Sequence, residues 1–261
     1  MSQANSLISI IMPAHNVAKY ISESIDSVLN QTYLDWELII VDDCSTDETI
    51  SVITPFLEDT RIRLFVNDVN LGGAGSRNVA IKHARGRYVA FLDSDDLWTS
   101  YKLEKQISFM QNNNVGFSFA AHTTIDEQGN ILEIINVPKK VNFKTLLKHN
   151  YIGCLTAIYD TKPYGKIYMP LVKKRQDFAL WLELLKRFKY AYSLTDNLGF
   201  YRIRSGSLSR SKLDAFKYYW RVLRVVGECN VLFASYNLTC YLFIVFIKKK
   251  NVKLYNKLFI G

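Results

Sequence analysis

Hydrophobic positions in the first hundred residues alternate between two spacings. Strongly apolar runs at 7–12, 37–41 and 88–92, and a more mixed run at 61–66, predict buried strands of a parallel sheet. Between these runs apolar residues recur every three or four positions, as Val17, Ile21 and Ile25 do, which predicts amphipathic helices. The alternation of strand and helix predicts an α/β fold with a mainly parallel central sheet flanked by helices.

The pattern after residue 100 is less regular. It predicts helices at 103–110, 143–149, 177–188 and 215–229, and strands at 115–121, 131–135, 153–159 and 198–204. Residues 126–130 lie between two of these strands and have the composition of a hairpin-like turn. The sequence contains no internal repeat and no obvious linker.

Three of the apolar strands run directly into polar clusters. These clusters are Pro13-Ala14-His15-Asn16, Asp42-Asp43 and Asp93-Ser94-Asp95-Asp96. The carboxyl ends of parallel strands meet at one edge of the sheet, where ligands bind. Three carboxylates within four residues repel each other unless a cation or a strong array of donors neutralises them. Because Mg²⁺ prefers oxygen ligands, the third cluster favours a metal site over a simple helix cap.

Three further features each leave two interpretations open. Asp42-Asp43 could accept hydrogen bonds from a nucleobase or ribose, or could cap the following helix. The glycines at 72–75, with Arg77, could let a phosphate approach the backbone or could form a flexible turn. Asp177 could be a catalytic base or a favourable charge at a helix N-terminus. Of the four isolated histidines only His15 lies in a predicted site loop.

Basic residues are concentrated at the end of the chain. The formal net charge is +9, and residues 201–261 contain 12 of the 33 basic residues but only 2 of the 24 acidic ones. Basic segments attract anionic membranes, nucleic acids or acidic substrates. The aromatic and leucine content of this segment favours a lipid surface over nucleic acid. The N-terminus lacks signal-peptide features, and the cysteine spacing predicts reduced, buried thiols in a cytoplasmic chain.

An apolar run within this segment, at 231–247, ends in Lys248-Lys249-Lys250. Its 17 residues are slightly fewer than the roughly 20 that a membrane-spanning helix needs. Three interpretations follow: a helix packed on the domain, a helix lying in the membrane interface, or a true span. The flanking lysines favour the interfacial helix, since they can reach anionic headgroups.

Taken in order, these pieces resemble glycosyltransferase family 2, the inverting nucleotide-sugar transferases of GT-A fold. The resemblance covers about 6–210 and rests on five segments, at 9–16, 40–49, 70–78, 91–96 and 176–182. Residues 201–209 also resemble the end of the bacterial surface-polysaccharide branch. The resemblance implies a Rossmann-like GT-A domain at 1–210, with a nucleotide-binding half at 1–100 and an acceptor half at 101–210. A helical, membrane-associating tail would follow at 211–261.

The resemblance also implies roles for single residues. Pro13, His15 and Asn16 would line the base pocket, Asp43 would bind the base, and Arg77 would belong to the nucleotide site. Asp93 and Asp95 would contact the ribose and hold Mn²⁺ or Mg²⁺, a task that Asp96 could share. Asp177 would be the general base that deprotonates the acceptor. His15 replaces the usual tyrosine, and Arg202 and Arg204 stand where many relatives have a histidine, so these arginines are candidates for contact with the diphosphate.

The predicted function is the inverting, metal-dependent transfer of a single sugar from a nucleotide sugar, with UDP-hexose or UDP-N-acetylhexosamine expected. The acceptor would be a hydroxyl of a glycan on an undecaprenyl-diphosphate-type lipid, in O-antigen, capsule or lipopolysaccharide biosynthesis. The enzyme would lie peripherally on the cytoplasmic face of the plasma membrane, with no nucleic-acid partner. The alternatives are a nucleotidyltransferase, which should carry a glycine-rich basic loop after its first strand, and a catalytically silent membrane-binding module.

Overall fold

The computed structural model describes residues 6–204 and 212–260. Its strands are β1 (Ile8–Ala14), β2 (Trp36–Asp42), β3 (Ile62–Val66), β4 (Tyr88–Phe91), β5 (Leu97–Trp98), β6 (Phe117–Ile125), β7 (Ile131–Ile135), β8 (Lys140–Val141), β9 (Ile158–Asp160) and β10 (Ala191–Arg202). Its helices are α1 (Ile21–Leu29), α2 (Thr49–Ile53), α3 (Gly72–His83), α4 (Lys102–Asn112), α5 (Phe143–Lys148), α6 (Gln176–Arg187), α7 (Lys212–Val225), α8 (Val231–Lys250) and α9 (Val252–Tyr255). Single 3₁₀ turns cover Thr54–Glu58 and Cys154–Thr156, and a π turn covers Asn256–Ile260.

All ten strands of the described chain join one mixed sheet. The order across it is β3-β2-β1-β4-β9-β6-β10-β5, with β7 beside β6 and β8 beside β10. The four strands of the first half pair in parallel, as predicted. Strand β9 is antiparallel to both β4 and β6, and β10 is parallel to β6. Two reversals therefore return β6 and β10 to the direction of β1, β2 and β4, and the carboxyl ends of all five lie at one edge.

Several elements of the second half differ from the prediction. Strand β10 begins at Ala191, earlier than the predicted start at 198. The apolar pattern did not predict the first half of this strand because that half is polar and only partly buried. The strand predicted at 153–159 is a 3₁₀ turn followed by the short β9. The helix predicted to reach residue 229 ends at Val225. All four cysteines are free as predicted, but only Cys229 is buried, since the other three lie in loops or on partly exposed helix faces.

Helices cover both faces of the sheet, and each face has its own apolar core. Helices α1, α2 and α4 pack on one face, where Ile25, Ile53 and Ile107 are buried. Helices α3, α5, α6, α7 and α8 pack on the other face. There Trp181 of α6 lies edge-on to Phe91 of β4, with ring centroids 5.4 Å apart. This contact packs the second turn of α6 on the centre of the sheet.

The C-terminal helices extend this second core. Ala234, Leu238 and Ile244 of α8 are buried in the same cluster as α5 and α6. By length and composition alone, α8 could cross a membrane, and most of its other apolar side chains are exposed. The predicted boundary between domain and tail, at 210–211, lies outside the described residues, as do positions 205–209 of the predicted family segment.

A buried carboxylate ties three strands together at the opposite edge of the sheet. Glu37 of β2 accepts hydrogen bonds through Oε1 from Ser9 Oγ of β1 and from the Arg85 amide, both at 2.6 Å. Its Oε2 accepts from Arg63 Nη2 of β3, also at 2.6 Å. Because the charge is matched and every neighbour donates to it, this network stabilises the register of the first three strands.

We predict that Glu37→Ala lowers the free energy of unfolding by about 3 kcal/mol, because the Arg63 guanidinium loses its buried partner. Chemical denaturation monitored by circular dichroism measures the change. The matched control is Glu58→Ala, at an exposed glutamate after α2, which should leave stability unchanged. Equal midpoints for the two variants would contradict the structural role of Glu37.

Candidate active site

The predicted polar clusters meet at the carboxyl edge of the sheet. Residues 13–16 span the end of β1 and the start of its loop, residues 42–43 span the end of β2, and residues 93–96 follow β4. The end of β10 brings Arg202 and Arg204 to the same place, where both guanidinium groups lie over the Tyr20 ring, 5.1 and 5.6 Å from its centroid. The N-termini of α3 and α6 also reach this edge. The convergence expected from parallel strands is therefore confirmed.

The loop after β1 is attached to the loop after β2. His15 Nδ1 donates to the backbone oxygen of Asp43 (2.7 Å), and Asn16 Oδ1 accepts from the Thr46 amide (2.8 Å). Asn16 adopts the left-handed region, with φ of +50°, which asparagine tolerates better than most residues. His15 and Asn16 remain exposed and Pro13 is half-buried, so this loop forms a polar rim that a flat ring could contact.

Asp43 holds the N-terminus of α3. Its Oδ1 accepts from the Leu71 amide and from Asn67 Nδ2, and its Oδ2 accepts from the Gly72 amide, each at 2.8 Å. The side chain is 3% exposed. Capping is therefore the observed use of this carboxylate, but the helix it caps is α3 rather than α2. Gly72 adopts a φ of +70°, which lets the backbone turn into the helix without strain.

Two arginines form ion pairs with the acidic loop after β4. Arg77 of α3 forms an ion pair with Asp93 through Nη2. Arg204 Nε lies 2.6 Å from Asp95 Oδ2. The strong array of donors that three adjacent carboxylates require is thus present in the protein itself. Since each pair joins the loop to a distant element, the charges also fix the positions of α3 and the end of β10.

Arg202 also donates hydrogen bonds to this loop, from a buried position. Its backbone amide donates to Asp96 Oδ1 (2.9 Å), and its guanidinium donates to the Asp95 carbonyl (3.0 Å), to Glu23 Oε2 (2.6 Å) and to the Glu127 carbonyl (3.3 Å). The side chain is 3% exposed. Contact between Arg202 and a diphosphate would therefore require these bonds to be exchanged, whereas Arg204 is one-third exposed and better placed to meet a ligand.

The negative charge of the loop is only partly compensated. Burial, and then the charge of Asp93, raise the pKa of Asp95. Burial and the charges of Asp95 and Asp93 raise the pKa of Asp96 well above its usual value. For Arg77, burial lowers the pKa, but the charge and hydrogen bond of Asp93, together with the charges of Cys154 and Asp177, outweigh burial and the pKa is raised. The loop therefore favours binding of a further cation.

The chemistry of this loop suits a divalent metal that is also bound by a ligand. Asp96 Oδ2 is buried and has no hydrogen-bond partner within the described residues, which indicates an unmet need for a donor or cation. Carboxylate oxygens are the ligands that Mg²⁺ and Mn²⁺ accept. Across residues 6–204 and 212–260, however, no three His, Cys, Asp or Glu side chains converge into a preformed metal-binding group. A metal here would need phosphate oxygens to complete its coordination.

Asp177 lies in the first turn of α6 and is partly buried. Asn150 Nδ2 donates to its Oδ2 (3.2 Å). Burial raises the pKa of Asp177, although the Phe178 amide and the charges of Arg77 and Arg175 act in the opposite direction. A carboxylate with a raised pKa accepts a proton more readily, which suits a general base. Arg77 acts electrostatically on both Asp93 and Asp177, so the two predicted functional regions are neighbours.

Sequence reasoning missed several residues of this site. Glu23 pairs with Arg202, Tyr20 Oη donates to Glu127 Oε2 (3.2 Å), and Asn150 donates to Asp177. These contacts join residues 179, 107 and 27 positions apart. No local motif marks them, because their roles depend only on which loops the sheet brings together.

Comparison with known proteins finds a matching family model and similar sequences. The family model described as glycosyl transferase family 2 matches residues 9–169. The chain is 41% identical over 247 residues to the Escherichia coli UDP-Glc:alpha-D-GlcNAc-diphosphoundecaprenol beta-1,3-glucosyltransferase WfgD, covering 93% of this chain and 94% of that protein. It is 40% identical over 238 residues to the putative teichuronic acid biosynthesis glycosyltransferase TuaG of Bacillus subtilis (strain 168), covering 90% and 94%.

A solved structure shares the fold. S. aureus TarS 1-349 in complex with UDP-GlcNAc superposes with a TM-score of 0.71 at 21% identity, over 95% of this chain and 75% of that one. The predicted GT-A fold class, a sheet flanked by helices with a helical C-terminal segment, is confirmed. Enzymes of this fold commonly use a divalent metal.

We predict that Asp43→Ala lowers the free energy of unfolding by about 2 kcal/mol, the upper end of the range for loss of a helix N-cap. The physical reason is the loss of three hydrogen bonds, two that join the end of β2 to the start of α3 and one from Asn67, which follows β3. Thermal and chemical denaturation measure the effect, with the exposed neighbour Asp68→Ala as the matched control. A variant as stable as the control, but unable to bind nucleotide, would show that Asp43 serves the ligand rather than the helix.

Proposed function

The chain belongs to glycosyltransferase family 2, and on that premise we propose that it transfers a single sugar from a UDP-sugar to a hydroxyl of a lipid-diphosphate-linked glycan, with inversion. Glycosyltransferase activity follows from the family; the donor, acceptor and stereochemistry are the proposal. The observation that carries it is that Arg77 links the acidic loop to a second carboxylate. Arg77 forms an ion pair with Asp93, and its charge also acts on the partly buried Asp177. Family membership favours this function over a nucleotidyltransferase and over a silent membrane-binding module.

The donor would lie along the carboxyl edge of the sheet. The exposed rim formed by Pro13, His15 and Asn16 would contact the base. Arg77 and Arg204 carry positive charge beside Asp93 and Asp95, where the diphosphate would lie. We propose UDP as the nucleotide because WfgD is named for UDP-Glc and TarS was solved with UDP-GlcNAc. Asp43 would support the base pocket by holding α3. A carboxylate has about four acceptor sites, and the present donors use two on Oδ1 and one on Oδ2, so a contact with the base would use the remaining site of Oδ2.

Asp95, with Asp93 and Asp96 beside it, would hold the divalent cation. When bound, Mn²⁺ or Mg²⁺ would stabilise the negative charge that develops on the departing nucleoside diphosphate. The arginines also respond to the donor, because a diphosphate competes with the carboxylates for Arg77 and Arg204. Each aspartate released from its arginine then needs another positive charge. Binding of the donor and binding of the cation should therefore support each other.

Asp177 would deprotonate the acceptor hydroxyl as that oxygen attacks the anomeric carbon. A direct displacement needs one positioned carboxylate on the side opposite the leaving group. Asp177 would supply it, and this role is supported by the hydrogen bond from Asn150 that orients its carboxylate. Because the attack comes from the opposite face, an α-linked donor would give a β-linked product. No covalent intermediate is required.

The acceptor proposal rests on the relatives and on the C-terminal helices. WfgD is named for a diphosphoundecaprenol-linked GlcNAc acceptor. Helix α8 exposes a set of large apolar side chains, and basic residues follow them. The exposed set is Val231, Leu232, Phe233, Tyr236, Leu242, Phe243, Val245 and Phe246. We propose that residues 1–210 form the catalytic domain, that 211–261 bind the anionic cytoplasmic face of the plasma membrane, and that the reaction serves synthesis of a surface polysaccharide.

We predict transfer from one donor of a panel of UDP-, GDP- and dTDP-sugars to a diphosphate-lipid-linked GlcNAc or GalNAc acceptor. Mass spectrometry and NMR of the product measure the transfer and its linkage. EDTA should abolish transfer and Mn²⁺ or Mg²⁺ should restore it. Asp177→Asn should reduce kcat by about 10³-fold, within the range for loss of a general base, while donor affinity is retained.

The matched control is Asp196→Asn, at an exposed carboxylate whose Lys105 partner lies away from the site. An α-linked product would contradict inversion, and full activity in EDTA would contradict metal dependence. An Asp177→Asn enzyme with the activity of the control would remove Asp177 as the base.

We predict that replacing Lys249, Lys250 and Lys253 with glutamine weakens binding to vesicles containing anionic lipid by about 100-fold, since each lysine near such a surface contributes about 1 kcal/mol. All three are exposed. Vesicle co-sedimentation measures the affinity. The matched control replaces exposed Lys82, Lys162 and Lys189, which lie outside the C-terminal helices, and should change it little. Equal losses in both triple variants would show only a non-specific charge effect.

A further inference from the structure

The residue that precedes α6 is held by a helix from the far end of the chain. Arg175 adopts the left-handed region, with φ of +60°, which is costly for a side chain of this size. Its Nη2 donates to the Tyr241 hydroxyl of α8 at 3.0 Å. Backbone conformations of this kind persist only where the surroundings enforce them. Asp177 follows two residues later, in the first turn of the helix.

An aromatic layer surrounds this arginine. The Tyr219 ring of α7 and the Tyr241 ring of α8 stack with centroids 4.2 Å apart. The Arg175 guanidinium lies 5.0 Å from the first centroid and 5.4 Å from the second, within the range of cation–π attraction. Phe178 of α6 stacks on the other side of Tyr219, at 5.0 Å and nearly parallel. The residues on both sides of Asp177 therefore contact the same layer.

The layer is itself anchored to the segment that contacts Asp177 from the other side. The Tyr219 hydroxyl donates to the Leu147 carbonyl of α5 (2.8 Å), and α5 leads into Asn150, which donates to Asp177. Arg175 also acts on Asp177 through its charge. One connected set of contacts thus runs from α8 to both the backbone and the side-chain oxygen of the candidate base.

We propose that Tyr241 is a positioning residue, which holds Arg175 against α8 and so fixes the first turn of α6 and the Asp177 carboxylate. The proposal rests on the proposed role of Asp177 as general base. The contacts that position the candidate active site would then include α8, where Tyr241 lies more than 60 residues after Arg175 in the chain. Tyr241 contacts neither donor nor acceptor in this account, so its effect must appear in turnover and in the ionisation of the base rather than in donor binding.

The test compares Tyr241→Phe with Tyr164→Phe, a matched change at an exposed tyrosine outside the C-terminal helices. Both remove only a hydroxyl and preserve the ring. Tyr241→Phe should lower kcat about tenfold, as expected for the loss of one hydrogen bond to a charged group. Its KM for the donor and its melting temperature should equal those of the control variant. Kinetics are measured with the donor and acceptor that support transfer in the panel described above.

The pH dependence of kcat supplies a readout that a purely structural role would not move. The charged groups acting on Asp177 are Arg77, Arg175 and Asp93, and the titratable side chains of Cys154 and Tyr201 also interact with it. Because the charge of Arg175 lowers the pKa of Asp177, a displaced Arg175 should move the acidic limb of the profile to higher pH. Arg175→Gln should produce the same shift more strongly, and Arg175→Lys should restore part of it.

The outcomes distinguish the positioning role of Tyr241 from the general-base role of Asp177 on which it rests. If Asp177→Asn abolishes turnover while Tyr241→Phe matches Tyr164→Phe in kcat and pH profile, the positioning role is wrong and the general base stands. A lower melting temperature for Tyr241→Phe, with no shift in the acidic limb of the pH profile of kcat, also overturns the positioning role. If Asp177→Asn retains full turnover, the general-base role of Asp177 fails, and the positioning role of Tyr241 fails with it.

Discussion

The compensation of charge at the carboxyl edge of the sheet is the constraint on which this structure depends. Three aspartates follow β4 within four residues, and at that spacing they are tolerated only beside positive charge. The protein provides it from two directions, with Arg77 on α3 and Arg204 after β10. These ion pairs do more than lower repulsion, because they specify where α3 and the last strand lie relative to the loop. The site and the fold around it are therefore stabilised by the same contacts.

That arrangement is possible only because of the direction of the strands. A single antiparallel strand, β9, lies between β4 and β6, and β10 pairs in parallel with β6. If β10 ran the other way, its C-terminal end would lie at the edge occupied by Glu37, and Arg202 could not reach Asp96. The mixed sheet of the second half therefore has a chemical consequence, since it brings the end of a late strand to the ligand-binding edge of the parallel half.

The sequence was sufficient where local spacing determines structure. The apolar runs around Ile10, Leu38 and Val89 predict the buried strands, and the rule for parallel strands predicts that their polar ends converge. It was insufficient where a side chain's partner is distant. Asp43 caps α3 through amides 28 and 29 positions away, so a rule that considers only the next helix assigns it wrongly. The first half of β10 was missed because a partly buried polar strand has no apolar run.

The same distinction explains the C-terminal segment. Composition alone left α8 open to three interpretations, because an apolar helix can pack, lie at an interface or span a bilayer. The structure shows that the inward face packs: Ala234, Leu238 and Ile244 are buried with α5 and α6. The outward face retains large apolar side chains that no described residue covers well, such as Leu232 and Phe246. A single helix therefore has one face committed to the core that supports Asp177 and one face available to a lipid surface.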